Sequence, residues 1–198
     1  MLALGDVEGG VRDVWRIRTD AIADAVTCGA LIRDMMGAAL DEAAASIVAS
    51  VVPDVTTHVV DALASVIGTP PLVVGDPGVE LGIDVNIDRP EQAGADRLVN
   101  AVGAKLHHSL PAIVLDFGTA TTLDLVGADG AYEGGVIAPG VSLSIDALER
   151  AAAQLPKLEL RSFEADLPVL GKNTIAAMES GVFWGYVSMI DGLLSRLR

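Results

Sequence analysis

The sequence contains a single cysteine, Cys28, among 198 residues, and it contains no long apolar segment. One cysteine cannot form an internal disulfide or a cysteine-rich metal site, which fits a reducing compartment. No uninterrupted apolar run approaches the ~20 residues that span a bilayer, and residues 1–10 lack the basic start of a secretion signal. We therefore expect a cytoplasmic protein that has no membrane partner.

Basic residues are also few. Thirteen Lys and Arg residues stand against 27 Asp and Glu residues, the formal net charge is −14, and the basic residues form no cluster. Because affinity for nucleic acid depends mainly on neutralising phosphates, we expect no nucleic-acid partner. A small anionic ligand is still compatible, since a few backbone N–H groups, one or two side-chain cations or a metal ion suffice to bind it.

Hydrophobic residues make up 51% of the chain, enough for a sizeable core, and their spacing predicts alternating strands and helices. A turn is expected at Glu8-Gly9-Gly10 and an irregular stretch between Arg150 and Gly171. The predicted strands are 2–4, 14–18, 44–52, 71–74, 112–116, 121–126 and 132–138. The predicted helices are 22–36, 55–67, 94–107, 141–150 and 174–198. This pattern indicates an α/β protein.

The segment Asp116-Phe117-Gly118-Thr119-Ala120-Thr121-Thr122 predicts a tight turn between two strands, carrying one carboxylate and three hydroxyls. This chemistry suits phosphate, because Gly118 lets the backbone approach a phosphoryl oxygen, the threonines donate hydrogen bonds and Asp116 can hold a cation. An ordinary hairpin turn is the alternative, since Asp, Gly and Thr are common in such turns. The segment alone does not decide between them.

The segment Gly94-Ala95-Asp96-Arg97 places a carboxylate and a guanidinium at the predicted start of a helix, after a long connection. In one interpretation Asp96 caps the helix and Arg97 is solvated. In the other, the carboxylate orients a substrate hydroxyl, while Arg97 and the helix N-terminus attract an anionic group.

Glycines recur in two other places. The segment 134–140 contains three glycines among seven residues, too many for a strand chosen by propensity, and this indicates backbone that lies close to a ligand or is tightly packed. In the last helix Ala177, Gly181 and Gly185 recur every four residues, which predicts close helix–helix contact within a subunit or across a dimer.

Four segments, taken in order, carry a resemblance to a known family. They are Gly94-Ala95-Asp96-Arg97, Asp116-Phe117-Gly118-Thr119-Ala120-Thr121-Thr122, Gly134-Gly135-Val136-Ile137-Ala138-Pro139-Gly140 and Gly171-Lys172-Asn173-Thr174. Together they resemble the signature segments of type III pantothenate kinase. With Trp15-Arg16-Ile17-Arg18-Thr19 the likeness runs through most of the chain.

The resemblance implies an α/β, two-lobed actin-like (ribonuclease H-like) ATPase fold, with mixed sheets flanked by helices and ATP between the lobes. It implies an N-terminal lobe over residues 1–110, incomplete at its start, and a C-terminal lobe over residues 111–198, incomplete at its end. The implied activity is the ATP-dependent phosphorylation of pantothenate to 4'-phosphopantothenate, the first step of coenzyme A biosynthesis, in a cytoplasmic homodimer.

The resemblance also implies roles for individual residues. Asp96 would be the catalytic base, Thr119 would bind the ATP phosphates, and Asp116 would hold a monovalent cation, potassium or ammonium. Magnesium would accompany ATP. Thr174 would contact pantothenate across the homodimer interface. The full pantothenate site would consist of Gly94, Ala95, Asp96, Arg97 and Thr174.

Three departures from the family pattern qualify this interpretation. The family begins with a strand and an Asp-x-Gly-Asn-Thr phosphate loop, whereas residues 1–4 resemble the strand after that loop, and the family continues beyond the helix that ends at Arg198. A tyrosine that the family often has before Gly94 is absent, with Ile87 near that place. Two alternatives therefore stay open: a truncated, non-catalytic pantothenate-binding or regulatory relative, and a kinase of another small alcohol.

Overall fold

The computed structural model describes residues 1–6, 10–151, 156, 158 and 167–198, which form two compact units. The first unit comprises Met1–Ile83 and Arg89–Val102, and the second comprises Asp84–Asp88 and Gly103–Arg198. Glu8 and Gly9 of the predicted turn lie outside the described residues, as does most of the irregular stretch predicted after Arg150.

The strands of the first unit form two small sheets. Strand β1 (Leu2–Gly5) pairs antiparallel with β2 (Val11–Trp15), and β3 (Ile47–Val48) pairs in parallel with β4 (Leu72–Val73). The predicted strand 14–18 was thus placed three residues too late. The predicted strand 44–52 was too long, because its partner β4 offers only two residues before the chain turns at Gly75, where φ is 99°.

Two helices cover these strands. Helix α1 (Ala25–Met36) begins three residues later than predicted because Asp24 caps it: the Thr27 amide donates to Asp24 Oδ1 at 2.7 Å. This hydrogen bond is the main cause that lowers the pKa of Asp24. Helix α2 (Pro53–Ile67) starts at a proline, which suits the first helical turn. The buried core shared by these elements consists of Cys28, Ile32, Val48, Ala62 and Leu63.

Helix α3 (Ala95–His107) belongs to both units, which divide between Val102 and Gly103. Its buried residues are mainly alanines, and the side chain of Leu106, predicted on the apolar face, is 69% exposed. The buried positions recur at helical spacing and are Ala95, Leu98, Ala101 and Ala104.

The second unit contains a three-stranded antiparallel sheet in the order β5 (Ala112–Phe117), β6 (Ala120–Val126) and β7 (Tyr132–Pro139). Helices α4 (Val141–Ala151) and α5 (Thr174–Leu197) follow it. The predicted α/β class with parallel and antiparallel strands is confirmed. In the part of the chain that the structure describes, no helix is long and apolar enough to cross a membrane.

Candidate functional site

Asp96 is the second residue of α3, and its side chain is exposed. Its carboxylate bends back over the helix start, where Oδ1 accepts a hydrogen bond from the Arg97 amide at 2.8 Å. A Cβ atom on Gly94 would lie 2.6 Å from this same oxygen, well inside van der Waals contact. Gly94 therefore leaves room for the carboxylate of Asp96 in this position, and a side chain there would make the carboxylate move.

The position of Asp96 also has an electrostatic consequence. Unsatisfied N–H groups give a helix N-terminus a partial positive charge, which attracts a carboxylate or another anionic group. An exposed carboxylate held by a backbone amide can accept or orient the proton of a substrate hydroxyl. Arg97 is half-buried, whereas the interpretation of this segment as a simple helix cap expected a solvated Arg97.

The turn predicted after Asp116 is confirmed, with β5 and β6 on either side of Gly118 and Thr119. Two backbone hydrogen bonds fix its shape: Gly118 N donates to Ala120 O at 2.9 Å, and Gly140 N donates to Thr119 O at 3.0 Å. Asp116 and Thr119 are both exposed on this turn. The turn is thus a rigid backbone element that presents a carboxylate and a hydroxyl to solvent.

The three threonines of this segment have different surroundings. Thr121 is fully buried and shares a hydrogen bond with the hydroxyl of Tyr186 in α5. Thr122 donates from Oγ1 to Asp124 Oδ2 at 2.9 Å. The expectation that all three donate to a phosphate is therefore wrong for Thr121 and Thr122, because their hydroxyls are engaged within the unit. Of the three threonines, Thr119, at the tip of the turn, is the exposed one.

Thr174 is the first residue of α5 and is exposed. The preceding residue, Asn173, caps the helix by accepting from the Ala176 amide at 2.9 Å. Two side chains of α5 bind the segment that precedes the helix. Trp184 Nε1 donates to the Leu167 carbonyl at 3.0 Å, and the Ser180 hydroxyl donates to the Val169 carbonyl. These bonds attach the segment before Thr174 to the side of its own helix.

A groove of about 850 Å³ runs along α5 from Thr174 to Met189 in the second unit. The small residues Ala177, Gly181 and Gly185 form its floor, and all three are exposed. A Cβ atom on Gly181 or Gly185 would have no heavy atom within 4 Å. Among the described residues, nothing packs closely on Gly181 and Gly185, although Ser144 and Leu148 of α4 line the same groove.

The chemistry of the turn fits a singly charged cation. Asp116 offers a carboxylate and Thr122, its cross-strand partner, a hydroxyl oxygen, and hard oxygen ligands suit hard cations. Within the described ranges, no group of three or more His, Cys, Asp or Glu side chains could hold a metal ion. One carboxylate with neutral oxygens is a weak site for a multiply charged ion and a suitable one for a monovalent ion.

Comparison with known proteins decides the family. The sequence model of the family described as type III pantothenate kinase matches residues 2–196. The chain belongs to the type III pantothenate kinase family. A protein named type III pantothenate kinase from Rhodospirillum centenum is 48% identical over 198 residues, covering 98% of this chain and 73% of that protein. Proteins of the same name from Maricaulis maris and Caulobacter vibrioides are 43% and 44% identical, each covering 93% of this chain and 71% of the relative.

The residues singled out in this family member fall into two groups. The segment Gly94–Arg97 lies in the first unit, where Ala95, Asp96 and Arg97 are the first three residues of α3 and Gly94 precedes them. Asp116 and Thr119 share one turn of the second unit, and Thr174 begins α5 of the same unit. The hydrogen bond between Thr121 and Tyr186 links the strand after that turn to the helix that Thr174 begins.

Sequence analysis did not single out three residues whose hydrogen bonds engage the threonines after this turn or the carboxylate beside them: Asp124, Tyr132 and Tyr186. Asp124 is fully buried in β6 between apolar neighbours, and a lone carboxylate in an apolar strand is a signal that could have been noticed. Tyr186 is 65 positions from Thr121, so nothing in the local sequence reveals their contact.

Proposed function

We propose that this protein transfers the γ-phosphoryl group of ATP to the 4'-hydroxyl of pantothenate, forming 4'-phosphopantothenate in the first step of coenzyme A biosynthesis. The observation that carries the proposal is the family match over residues 2–196, nearly the whole of this chain. The same residues carry the exposed carboxylates Asp96 and Asp116, one in each compact unit.

In the first unit, Asp96 orients the 4'-hydroxyl and takes its proton as the phosphoryl group is transferred. Phosphoryl transfer depends mostly on positioning and charge neutralisation, so no covalent intermediate with the protein is needed. The hydrogen bond from the Arg97 amide and the space above Gly94 support this role, because they fix where the carboxylate stands. Gly94, Ala95 and Arg97 line the pantothenate site beside it.

In the second unit, Thr119 donates to an ATP phosphate, and its exposed place at a rigid turn supports this role. Asp116 holds a monovalent cation, potassium or ammonium, and magnesium accompanies ATP. A cation beside the phosphates offsets their charge and so lowers the cost of bringing a nucleophile to them.

We also propose a cytoplasmic homodimer in which Thr174 contacts pantothenate across the interface. The exposed ridge of Ala177, Gly181 and Gly185 supports this, since small residues let a second helix approach closely. Analytical ultracentrifugation of wild type and Gly185→Glu tests it, because a glutamate on the ridge would block such an approach. The two lobes of an actin-like fold, over residues 1–110 and 111–198, complete the proposal.

The activity is tested by incubating the purified protein with ATP, magnesium, potassium and pantothenate and detecting 4'-phosphopantothenate by mass spectrometry. Product that requires both ATP and pantothenate supports the proposal. Calorimetric binding of pantothenate without turnover would favour the non-catalytic relative instead. Phosphorylation of another small alcohol, with pantothenate unchanged, would favour the third hypothesis and contradict ours.

A further inference from the structure

A chain of hydrogen-bonded side chains runs from the interior of the second unit towards the turn after Asp116. At its centre is Asp124, which is fully buried in β6. Its Oδ1 accepts from the Tyr132 hydroxyl at 2.9 Å, and its Oδ2 accepts from Thr122 Oγ1 at 2.9 Å. A buried carboxylate is costly for stability unless its oxygens are hydrogen-bonded. Its presence inside a sheet therefore calls for an explanation beyond packing.

The position of Thr122 connects this buried group to the exposed one. Thr122 lies directly opposite Asp116 in the β5–β6 pairing. Side chains of directly opposed residues project from the same face of a sheet, with Cβ atoms about 4.5–5.5 Å apart. Along β6, Asp124 follows two positions later and so projects from that same face. The half-buried Thr122 therefore stands on this face between two acidic residues, the buried Asp124 and the exposed Asp116.

The direction of the Thr122 proton follows from hydrogen-bond chemistry. A hydroxyl has one proton and two lone pairs, and an ionised carboxylate can only accept. Because Thr122 gives its one proton to Asp124, its oxygen can only accept from, or coordinate to, a group on its other side. Beside Asp116 there is then a neutral oxygen with its lone pairs available next to a negative charge. This combination attracts a cation and disfavours an anionic phosphate oxygen.

Building on the proposed function, we propose that Asp124 is a positioning residue: it takes the Thr122 proton, so that the Thr122 oxygen and the Asp116 carboxylate together bind the monovalent cation. If Thr122 were not oriented in this way, its proton would be available to Asp116. A hydroxyl donating to Asp116 would compete with the cation for the same lone pairs.

Two variants separate this role from simple support of the core. In Asp124→Asn, the amide NH₂ donates to Thr122, so the Thr122 proton turns towards Asp116, while the amide oxygen still accepts from Tyr132. In the matched control Tyr132→Phe, Asp124 loses the hydrogen bond from the Tyr132 hydroxyl, but the bond from Thr122 stays. Both variants alter one hydrogen bond of the same buried side chain. Only Asp124→Asn, however, changes the Thr122 hydroxyl from a donor to an acceptor towards residue 124.

The first readout needs no turnover. The thermal midpoint is measured at increasing potassium chloride, with choline chloride keeping ionic strength constant, in the presence of a non-hydrolysable ATP analogue. The second readout is the potassium concentration for half-maximal kinase activity. For Asp124→Asn we expect this concentration to rise roughly tenfold, as when a charged group loses one oriented partner. For Tyr132→Phe we expect a lower midpoint but a wild-type response to potassium.

An Asp124→Asn protein that responds to potassium as wild type does would overturn the inference, and so would Tyr132→Phe if it weakened the response equally. If Asp124→Asn does not fold, Thr122→Val removes the oxygen while keeping the shape. It should weaken the response, and Thr122→Ser should restore it; a wild-type response in Thr122→Val contradicts the inference. Failure of the proposed function is distinct, because the wild-type protein itself would then form no 4'-phosphopantothenate.

Discussion

Gly140 lies in direct contact with Thr119. Its amide donates to the Thr119 carbonyl at 3.0 Å, and a Cβ atom in its place would lie 2.4 Å from that oxygen and 2.3 Å from the carbonyl oxygen of Gly118. The chain leaving β7 therefore closes over the turn after Asp116. The glycines of the segment 134–140 were explained either by a nearby ligand or by tight packing. The contacts at Gly140 support tight packing.

Gly140→Ala should therefore be destabilising, because the new methyl group meets backbone atoms that cannot rotate away. Overpacking of this kind costs about 1–3 kcal/mol, and the displaced Thr119 should raise KM for ATP. Urea denaturation and steady-state kinetics measure both effects. Gly103→Ala is the control, since a Cβ there would have no heavy atom within 4 Å and a helical alanine should be neutral or stabilising. Equal stability of Gly140→Ala and wild type would show that the turn can shift freely.

Gly94→Ala makes a contrasting case. Its Cβ would lie 2.6 Å from the Asp96 carboxylate oxygen, which is the end of a side chain and can move aside. We expect the free energy of unfolding to change by less than about 1 kcal/mol, while kcat falls about 10- to 100-fold because the carboxylate is misplaced. Urea denaturation and single-turnover kinetics measure this. A normal kcat would mean that Gly94 does not set the catalytic geometry.

The local elements of this fold were largely predictable, because each depends on nearby residues. The strand–turn–strand unit around Gly118 was predicted from the glycine and the β-branched residues after it, and β5 and β6 confirm it. The start of α1 was misplaced by three residues because the apolar period was followed past its cap, Asp24. Capping chemistry was the stronger signal there.

What could not be predicted depends on partners distant in sequence. The length of β3 is set by the two residues that β4 offers to it, and the strand's own composition does not reveal this limit. Likewise, the three threonines after Gly118 look equivalent in the sequence. Tyr186 and Asp124 distinguish them, and their contacts arise only when the strands pair and α5 packs.

Asp116→Asn removes the negatively charged ligand of the proposed cation site. Removing the negative charge should raise KM for ATP about tenfold and reduce the activation by potassium, since the cation would lose its only charged ligand in the proposed site. Titration of potassium against sodium at fixed ATP is the measurement. Glu133→Gln is a suitable control, because it removes an exposed carboxylate from β7 of the same sheet without touching the turn. An unchanged potassium dependence in Asp116→Asn would place the cation elsewhere.

Asp96→Asn separates a catalytic carboxylate from a helix cap. The two side chains have nearly the same shape, and asparagine can still accept from the Arg97 amide, so the backbone contact seen for Oδ1 can persist. The loss of charge at the helix start should change stability by no more than about 1 kcal/mol. An amide cannot take the proton of the 4'-hydroxyl, however, so kcat should fall by about 10²- to 10⁴-fold with little change in KM for pantothenate. Thermal melts and steady-state kinetics on the same preparation give both quantities. If turnover stays near that of wild type, Asp96 is a helix cap and the proton acceptor must be another group.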